Sequence, residues 1–399
     1  MKIAVVNLLM RTIRSASPVP NLATDVPKGR IRAETPMVTL VADEIARRGH
    51  DVDVFSGFKF DVVLNNTSVG LKTVRIRYAK ERLKAVFPPT YYPFAPSVAR
   101  AIGQGGYDAV ISSEIIQPQT FLSALGKGSS TDLFIWQEMM LHPKNPAGLV
   151  SRAVFRAYRA RKFRSFRSVV PRTSLARDFL LREGVPEHLI GRTIPNAVDC
   201  HAFAPKQGMD FFPHDDLASP GGKRILMIAR LEKNKGADTF LMAAKMVLEH
   251  TKDVSFIIKG SGPEADSLRN IGRTGGLKDR FVLLEEYLSR QDLATLISSC
   301  DICVVPSSTD LFPIIPLEAM ACGVPVIAST STHHKDTFSD GKAGMLVAPE
   351  DPGAIASAIV ELVEDPERLR DMSRHARSLA VSEFSLETAA DRWLKILAS

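Results

Sequence analysis

The chain has 399 residues, 45% hydrophobic and 24% charged, too long for one ordinary core and suited to two soluble globular domains. Its formal charge of +7 is compatible with anionic substrates, an anionic membrane surface or nucleic acid and selects none of them. No apolar run approaches the ~20 residues of a spanning helix, and the opening KIAVV is too short for a secretory leader. A cytoplasmic location is expected, free or peripheral at the inner face of a membrane.

Lys2–Asn7 reads as a strand, and a polar stretch follows from Leu9 to about Arg32. Pro36–Arg48 reads as a helix, with Met37, Leu40, Val41 and Ile45 on one face, and Gly49 ends it. Asp51–Ser56 is the next strand. It opens on the triplet Asp51-Val52-Asp53, a pattern that can hold a metal beside nucleotide phosphates. Val52 and Val54 fall on one face and Asp53 on the other, so a strand is read and no metal site. Lys72, Arg75, Arg77, Lys80, Arg82 and Lys84 form a basic cluster, and Asp108–Ser112, Leu133–Gln137 and Val169–Pro171 read as further strands.

The segment Ser151–Arg167 carries Arg152, Arg156, Arg159, Arg161, Lys162, Arg164 and Arg167, interleaved with Phe155, Tyr158, Phe163 and Phe166. Two expectations stand side by side for it: a helix packed on the sheet with its basic side in water, or a basic surface for an anionic bilayer. Nucleic acid is disfavoured, because no recognised binding motif accompanies the charge.

After Pro195 the same grammar restarts. Arg224–Ala229, Val254–Gly260, Phe281–Leu284, Ile302–Pro306 and Val324–Ala328 read as strands, and Ala237–His250 as a helix. Alternating strands and helices predict an α/β fold with two doubly wound, Rossmann-like domains built on parallel sheets. The boundaries are set at 1–195 and 196–379, with a helix at about 380–399 packing back on the first domain. The four cysteines, Cys200, Cys300, Cys303 and Cys322, include one CxxC but no second pair at zinc spacing, and are expected as buried thiols.

Three segments carry the chemistry. In ARLEKNKG (Ala229–Gly236) Arg230 ends a strand and Lys235 is expected to open the next helix. Two cations beside a strand's carboxyl end stand where open α/β sheets bind ligands, although a solvated charged loop is the plainer alternative. In KGSGPE (Lys259–Glu264), Gly260 and Gly262 would let the backbone approach a ligand closely. In PSSTDLFPIIPLEAMACGVPVIA (Pro306–Ala328), Asp310 and Glu318 flank the approach to a short helix ended by Gly323 and followed by a buried strand. Helix N-termini offer unpaired N–H groups to phosphate, Pro316 fits a first turn, and carboxylates accept from sugar hydroxyls. His333-His334 falls near the same rim, and neither it nor His142 has the spacing of a metal site.

Taken together, these segments resemble the family-four retaining glycosyltransferases (group 1 glycosyl transferases), which have the GT-B fold with two Rossmann-like domains facing a central cleft. IPNAVD at Ile194–Asp199 resembles that family's domain junction, ARLEKNKG its phosphate-gripping segment, and the Asp310 to Glu318 segment its two acids separated by seven residues. The resemblance implies that Arg230 and Lys235 grip a nucleotide diphosphate and that Asp310 contacts the donor sugar. It further implies that Glu318 accepts from the ribose, and that the N–H groups near Ile314 and Ile315 touch the diphosphate or sugar. It implies no cofactor and no metal, a nucleotide-diphosphate sugar as donor, and a saccharide or lipid-linked acceptor taken on the first domain's side.

There are departures. Asp310 stands where the family has Glu, Pro313 where it has Gly, and Glu286 where another Gly is common. Arg32-Ala33 falls where a glycine pair is usual, and Trp136-Gln137-Glu138 occupies the strand end where the family carries a histidine. A non-catalytic scaffold binding a membrane or partner, and a nucleotide-sugar epimerase, remain as alternatives.

Overall fold

The computed structural model describes residues 1–7, 37–56, 75–78, 95–139, 146–161, 163–206, 208, 210–212, 222–274, 276–277, 280–310, 312–332, 334–338 and 340–399. The polar stretch with Arg32-Ala33, most of the first basic cluster, His142 and His333 lie outside them.

The chain divides into two units. The first runs to Asn196 and is completed by Leu386–Ser399; the second takes Ala197–Ser385. In the first unit the order is β1 (Lys2–Asn7), α1 (Met37–Arg47), β2 (Asp51–Ser56), β3 (Arg75–Tyr78), α2 (Ser97–Gly105), β4 (Ala109–Ser113), α3 (Pro118–Gly126), β5 (Asp132–Gln137), α4 (Pro146–Ala160), β6 (Ser168–Pro171) and α5 (Ser174–Arg182). The second unit holds β7 (Lys223–Ile228), α6 (Ala237–His250), β8 (Val254–Lys259), α7 (Ala265–Thr274), β9 (Phe281–Leu284), α8 (Arg290–Ser298), β10 (Ile302–Val305), α9 (Ile315–Ala321), β11 (Val326–Ser329), α10 (Lys335–Phe338), β12 (Gly344–Val347), α11 (Pro352–Glu364) and α12 (Pro366–Glu383). The last helix, α13 (Leu386–Leu397), returns to the first unit.

Each unit contains one six-stranded sheet, ordered β3-β2-β1-β4-β5-β6 and β12-β11-β10-β7-β8-β9. Every described strand pair is parallel, with Val5 opposite both Val54 and Ile111, and Leu226 opposite both Ile257 and Cys303. Parallel strands covered on both faces must be apolar throughout, and β10 (ICVV) and β11 (VIAS) are buried at every position. In both sheets the order reverses next to the first strand: between β1 and β4, and between β7 and β10. Those reversals open crevices at the carboxyl ends of the strands, where ligands of doubly wound folds bind.

The helix α13 closes the first unit's core. Trp393 is fully buried, its ring edge-on to Trp136 at 5.5 Å and to Phe134 at 6.4 Å. Arg48 after α1 donates to Asp391 at 3.1 Å. On α4 and the turn after it, Phe155, Tyr158, Phe163 and Phe166 are core residues, while Arg152, Arg156, Arg159, Arg161, Arg164 and Arg167 are exposed. The aromatic rings of this segment thus face the protein, while its described arginines face outward.

Candidate active site

The site in the second unit begins with two loops that touch backbone to backbone. After β7 the chain makes a 3-10 turn, Lys233–Lys235, and Gly236 takes φ +72° in the left-handed region before α6 starts at Ala237. Lys235 therefore ends a turn rather than opening a helix. A Cβ on Gly236 would stand 2.7 Å from the Pro306 carbonyl oxygen at the end of β10. The Ser308 N–H donates to the Asn234 carbonyl at 2.9 Å, and the Asn234 side chain donates to the Thr309 carbonyl at 3.2 Å. These bonds join the loops after β7 and β10 across the reversal of the sheet.

On this frame Lys235 meets Asp310 in an ion pair, with side chains 10% and 14% exposed. Two residues 75 positions apart thus come together at the switch-point crevice. The ammonium has three donors, and Asp310 occupies one. Arg230 pairs with Glu232 at the surface, its side chain 54% exposed. Such exposed pairs contribute about 0–1 kcal/mol, so the guanidinium is held loosely.

Gly260 and Gly262 lie against the chain's own backbone. A Cβ on Gly260 would stand 1.8 Å from the Ala229 carbonyl oxygen, and one on Gly262 2.5 Å from that of Leu231. The Leu231 N–H donates to the Ser261 carbonyl at 2.9 Å, and the Glu264 N–H to the Leu231 carbonyl at 3.0 Å. The close approach is that of the chain to itself, and it fixes the loop carrying Arg230. Lys259, at the end of β8, received no role from the sequence. Burial pushes its ammonium down, while Glu286 and Glu285 draw it back up.

The loop after β10 continues through Phe312, at φ +45°, to α9. Ile314 is the residue before the helix, Ile315 its first residue, and Pro316 lies in its first turn. Glu318, in the same helix, is buried. All four cysteines are buried free thiols. Burial pushes Cys303 and Cys322 up to about 12 and raises Cys300 as well, so the CxxC pair is held as inert thiol. Among the described residues no group of three or more His, Cys, Asp or Glu could hold a metal ion. Asp53 of the acidic triplet is buried and accepts a hydrogen bond from the Tyr107 hydroxyl.

The first unit holds a second polar cluster that the sequence did not reveal. Glu114 follows β4 at the other switch point, with φ +60°. Its carboxyl accepts from the Gln137 amide at 2.7 Å and from the N–H groups of Glu138 and Met139 at 2.8 and 3.2 Å. Arg172, 6% exposed, donates to Glu138 at 2.8 Å and to Asn196 at 2.9 Å, and lies 4.5 Å over the Trp136 ring. Its Nε has no partner among the described residues. The signal that could have found the cluster is an acid one residue past the end of a buried strand.

Burial pushes the Glu114 carboxyl from 4.5 up to about 7; Arg172 and the two backbone donors pull it down, and Glu138 adds to the rise. Between those two values the unfolded chain is ionised at this position while the folded chain keeps its proton. The contribution is therefore complete below 4.5 and lost as pH rises to about 7, a fall of at most about 3 kcal/mol. Glu114→Gln is expected to flatten the dependence of Tm on pH across that interval. A profile as steep as that of the unaltered protein would assign the proton to another group.

A family model described as "Glycosyl transferases group 1" matches residues 211–379. The alpha-D-kanosaminyltransferase of Streptomyces kanamyceticus is 29% identical over 168 residues, 42% of this chain and 43% of that one. A GDP-mannose-dependent monoacylated alpha-(1-6)-phosphatidylinositol monomannoside mannosyltransferase of Corynebacterium glutamicum is 31% identical over 178 residues, 43% of this chain and 46% of that one. The chain thus spans less than half the length of these curated relatives. Among solved structures, Anabaena HepE in complex with UDP aligns with a TM-score of 0.72 and 18% identity, over 100% of both chains. Sucrose-phosphate synthase from Thermosynechococcus elongatus aligns at 0.71 and 20%, over 100% of this chain and 98% of that one. At these identities the likeness shows the fold, the two Rossmann-like domains of the GT-B class.

Proposed function

We propose, on the match of residues 211–379 to the model of the glycosyl transferases group 1, that the chain is an enzyme of that group and moves a hexose or N-acetylhexosamine from a nucleotide-diphosphate sugar to a saccharide or lipid-linked acceptor, with retention of the anomeric configuration. The observation that carries the proposal is the meeting of Lys235 and Asp310 at the reversal between β7 and β10. Rupture of the donor's glycosidic bond leaves negative charge on the diphosphate. A fixed ammonium in a partly dry crevice stabilises that charge more in the transition state than in the ground state. Lys235 keeps donors for phosphate oxygens while Asp310 holds it in place, and the loosely paired Arg230 adds a guanidinium fork.

In this reading Asp310 accepts from a hydroxyl of the transferred sugar, and Glu318 from the ribose. Gly260 and Gly262 shape the loops beside the nucleotide, and the N–H groups at Ile314 and Ile315 face the diphosphate or sugar. The reading calls on no metal and no cofactor. The outward arginines of α4 and the turn after it support a cytoplasmic, membrane-peripheral setting in which a lipid-linked acceptor is met.

The test is a panel of nucleotide sugars, including UDP-glucose, UDP-N-acetylglucosamine and GDP-mannose, assayed for nucleoside diphosphate release with and without saccharide acceptors. At least one donor is expected to be consumed with an acceptor at well above the rate without it. Conversion of the donor's sugar with no acceptor would favour an epimerase. Silence across donors, together with no thermal shift from UDP or GDP, would leave a scaffold.

A further inference from the structure

The structure assigns His334 the role of a positioning residue: by donating to the Pro313 carbonyl and stacking on Phe312, it sets the direction of the Ile314 N–H that faces the donor. The inference rests on the donor-binding reading of this loop and adds a residue to it from outside the loop.

The loop needs such a support. Phe312 sits at φ +45°, a left-handed conformation that costs a residue with a side chain about 1–3 kcal/mol. The following Pro313 disfavours helical conformations at Phe312 further and has no N–H of its own to tie the loop down. His334 is fully buried. Its ring stacks on Phe312 at 4.2 Å and 28° and leans on Phe338 at 5.7 Å. Its Nε2 lies 2.9 Å from the Pro313 carbonyl oxygen, which can only accept, so Nε2 carries the proton. In the neutral ring Nδ1 then accepts from the Thr337 hydroxyl at 3.3 Å. The residue itself is anchored, because its carbonyl accepts the N–H groups of Thr337 and Phe338 at 3.0 Å each.

The consequence follows from the rigidity of the peptide unit. The described chain has no cis peptide bond, and in a trans unit C=O and N–H point in opposite directions within one plane. Holding the Pro313 oxygen therefore aims the Ile314 N–H away from the imidazole, and no partner for that N–H stands among the described residues. Proline in this loop gives up a backbone donor, and a buried imidazole delivered from the neighbouring strand end orients the next one.

Two variants separate aiming from packing. His334→Leu keeps apolar bulk and loses the donor, whereas His334→Gln places an amide N–H at similar reach. The probes are UDP and GDP, titrated calorimetrically against the full chain. For whichever diphosphate the unaltered protein binds, His334→Leu is expected to weaken binding about tenfold, as for one lost hydrogen bond, and His334→Gln to restore it to within about threefold. Should His334→Leu not fold, Thr337→Val, which frees the ring to turn, is expected to weaken binding about threefold with little change in Tm. Leucine and glutamine variants that bind alike, or a leucine variant that binds as the unaltered protein does, overturn the inference while leaving the donor site intact. Failure of the unaltered protein to bind either diphosphate overturns the donor-site reading and this inference with it.

Discussion

Lys235→Ala is expected to lower kcat/KM by about 100- to 1,000-fold, the loss seen when one fixed donor to a developing anion is removed. It is also expected to destabilise the second unit, because Asp310, 14% exposed, loses its cation. Breaking such a pair costs about 3 kcal/mol, whereas replacing both charges by apolar side chains is close to neutral. The two effects therefore separate. A Lys235→Met/Asp310→Leu double variant should regain most of the lost Tm and none of the lost turnover. A double variant as active as the unaltered protein would remove Lys235 from the chemistry; one no more stable than Lys235→Ala would show that the pair does not govern stability.

Gly260→Ala is expected to have the largest effect on the fold. The new methyl would stand 1.8 Å from the Ala229 oxygen and 3.4 Å from Leu231 Cδ2, and the contact is with backbone, which cannot swing aside. Overpacking of this kind costs about 3 kcal/mol, and for a unit of this size that lowers Tm by roughly 6–12 °C. Because the displaced strand end carries Arg230, binding of UDP or GDP should weaken in parallel. Gly276→Ala is the control: its glycine has φ +78° but nothing within 4 Å, so it reports backbone strain alone. Equal losses at the two positions would refute the packing explanation.

Most of the fold was legible, because parallel strands buried on both faces write continuous apolar runs, as in Val254–Lys259 and Ile302–Val305. The two strands that went unread are both sheet edges. In β3 the sequence RIRY carries arginine at alternate positions, and those charges read as part of a basic cluster. In β12 only four residues follow a turn, too few to show a period. Of the site, the placing of Arg230, Lys235 and Asp310 in the loops after β7 and β10 could be read from local grammar. The ion pair could not, since it joins loops 75 residues apart.

The glycines read as positions of close approach, and the fold brings the Ala229 and Leu231 backbone against them. A missing Cβ signals close approach, but nothing in KGSGPE says that the approaching group is Ala229 rather than a ligand. Glu114 was missed for a related reason. Its character depends on burial and on the N–H groups of Glu138 and Met139, which only the packing of β5 beside β4 brings to it.

The return of α13 to the first unit has a bearing on how the chain is made. Trp393 seats against Trp136 and Phe134, and the Ser399 carbonyl accepts from Arg167 at 2.8 Å. During synthesis the amino-terminal half emerges first, yet its core must wait for Leu386–Ser399, which follow the whole of the second unit. The described residues of the later unit all lie between Ala197 and Ser385, so it can close while the earlier one still exposes the groove that Trp393 fills. The order of completion is thus the reverse of the order of translation. A nascent chain stalled before Leu386 would carry one finished unit and one open apolar seam, the kind of surface that chaperones hold and proteases sample.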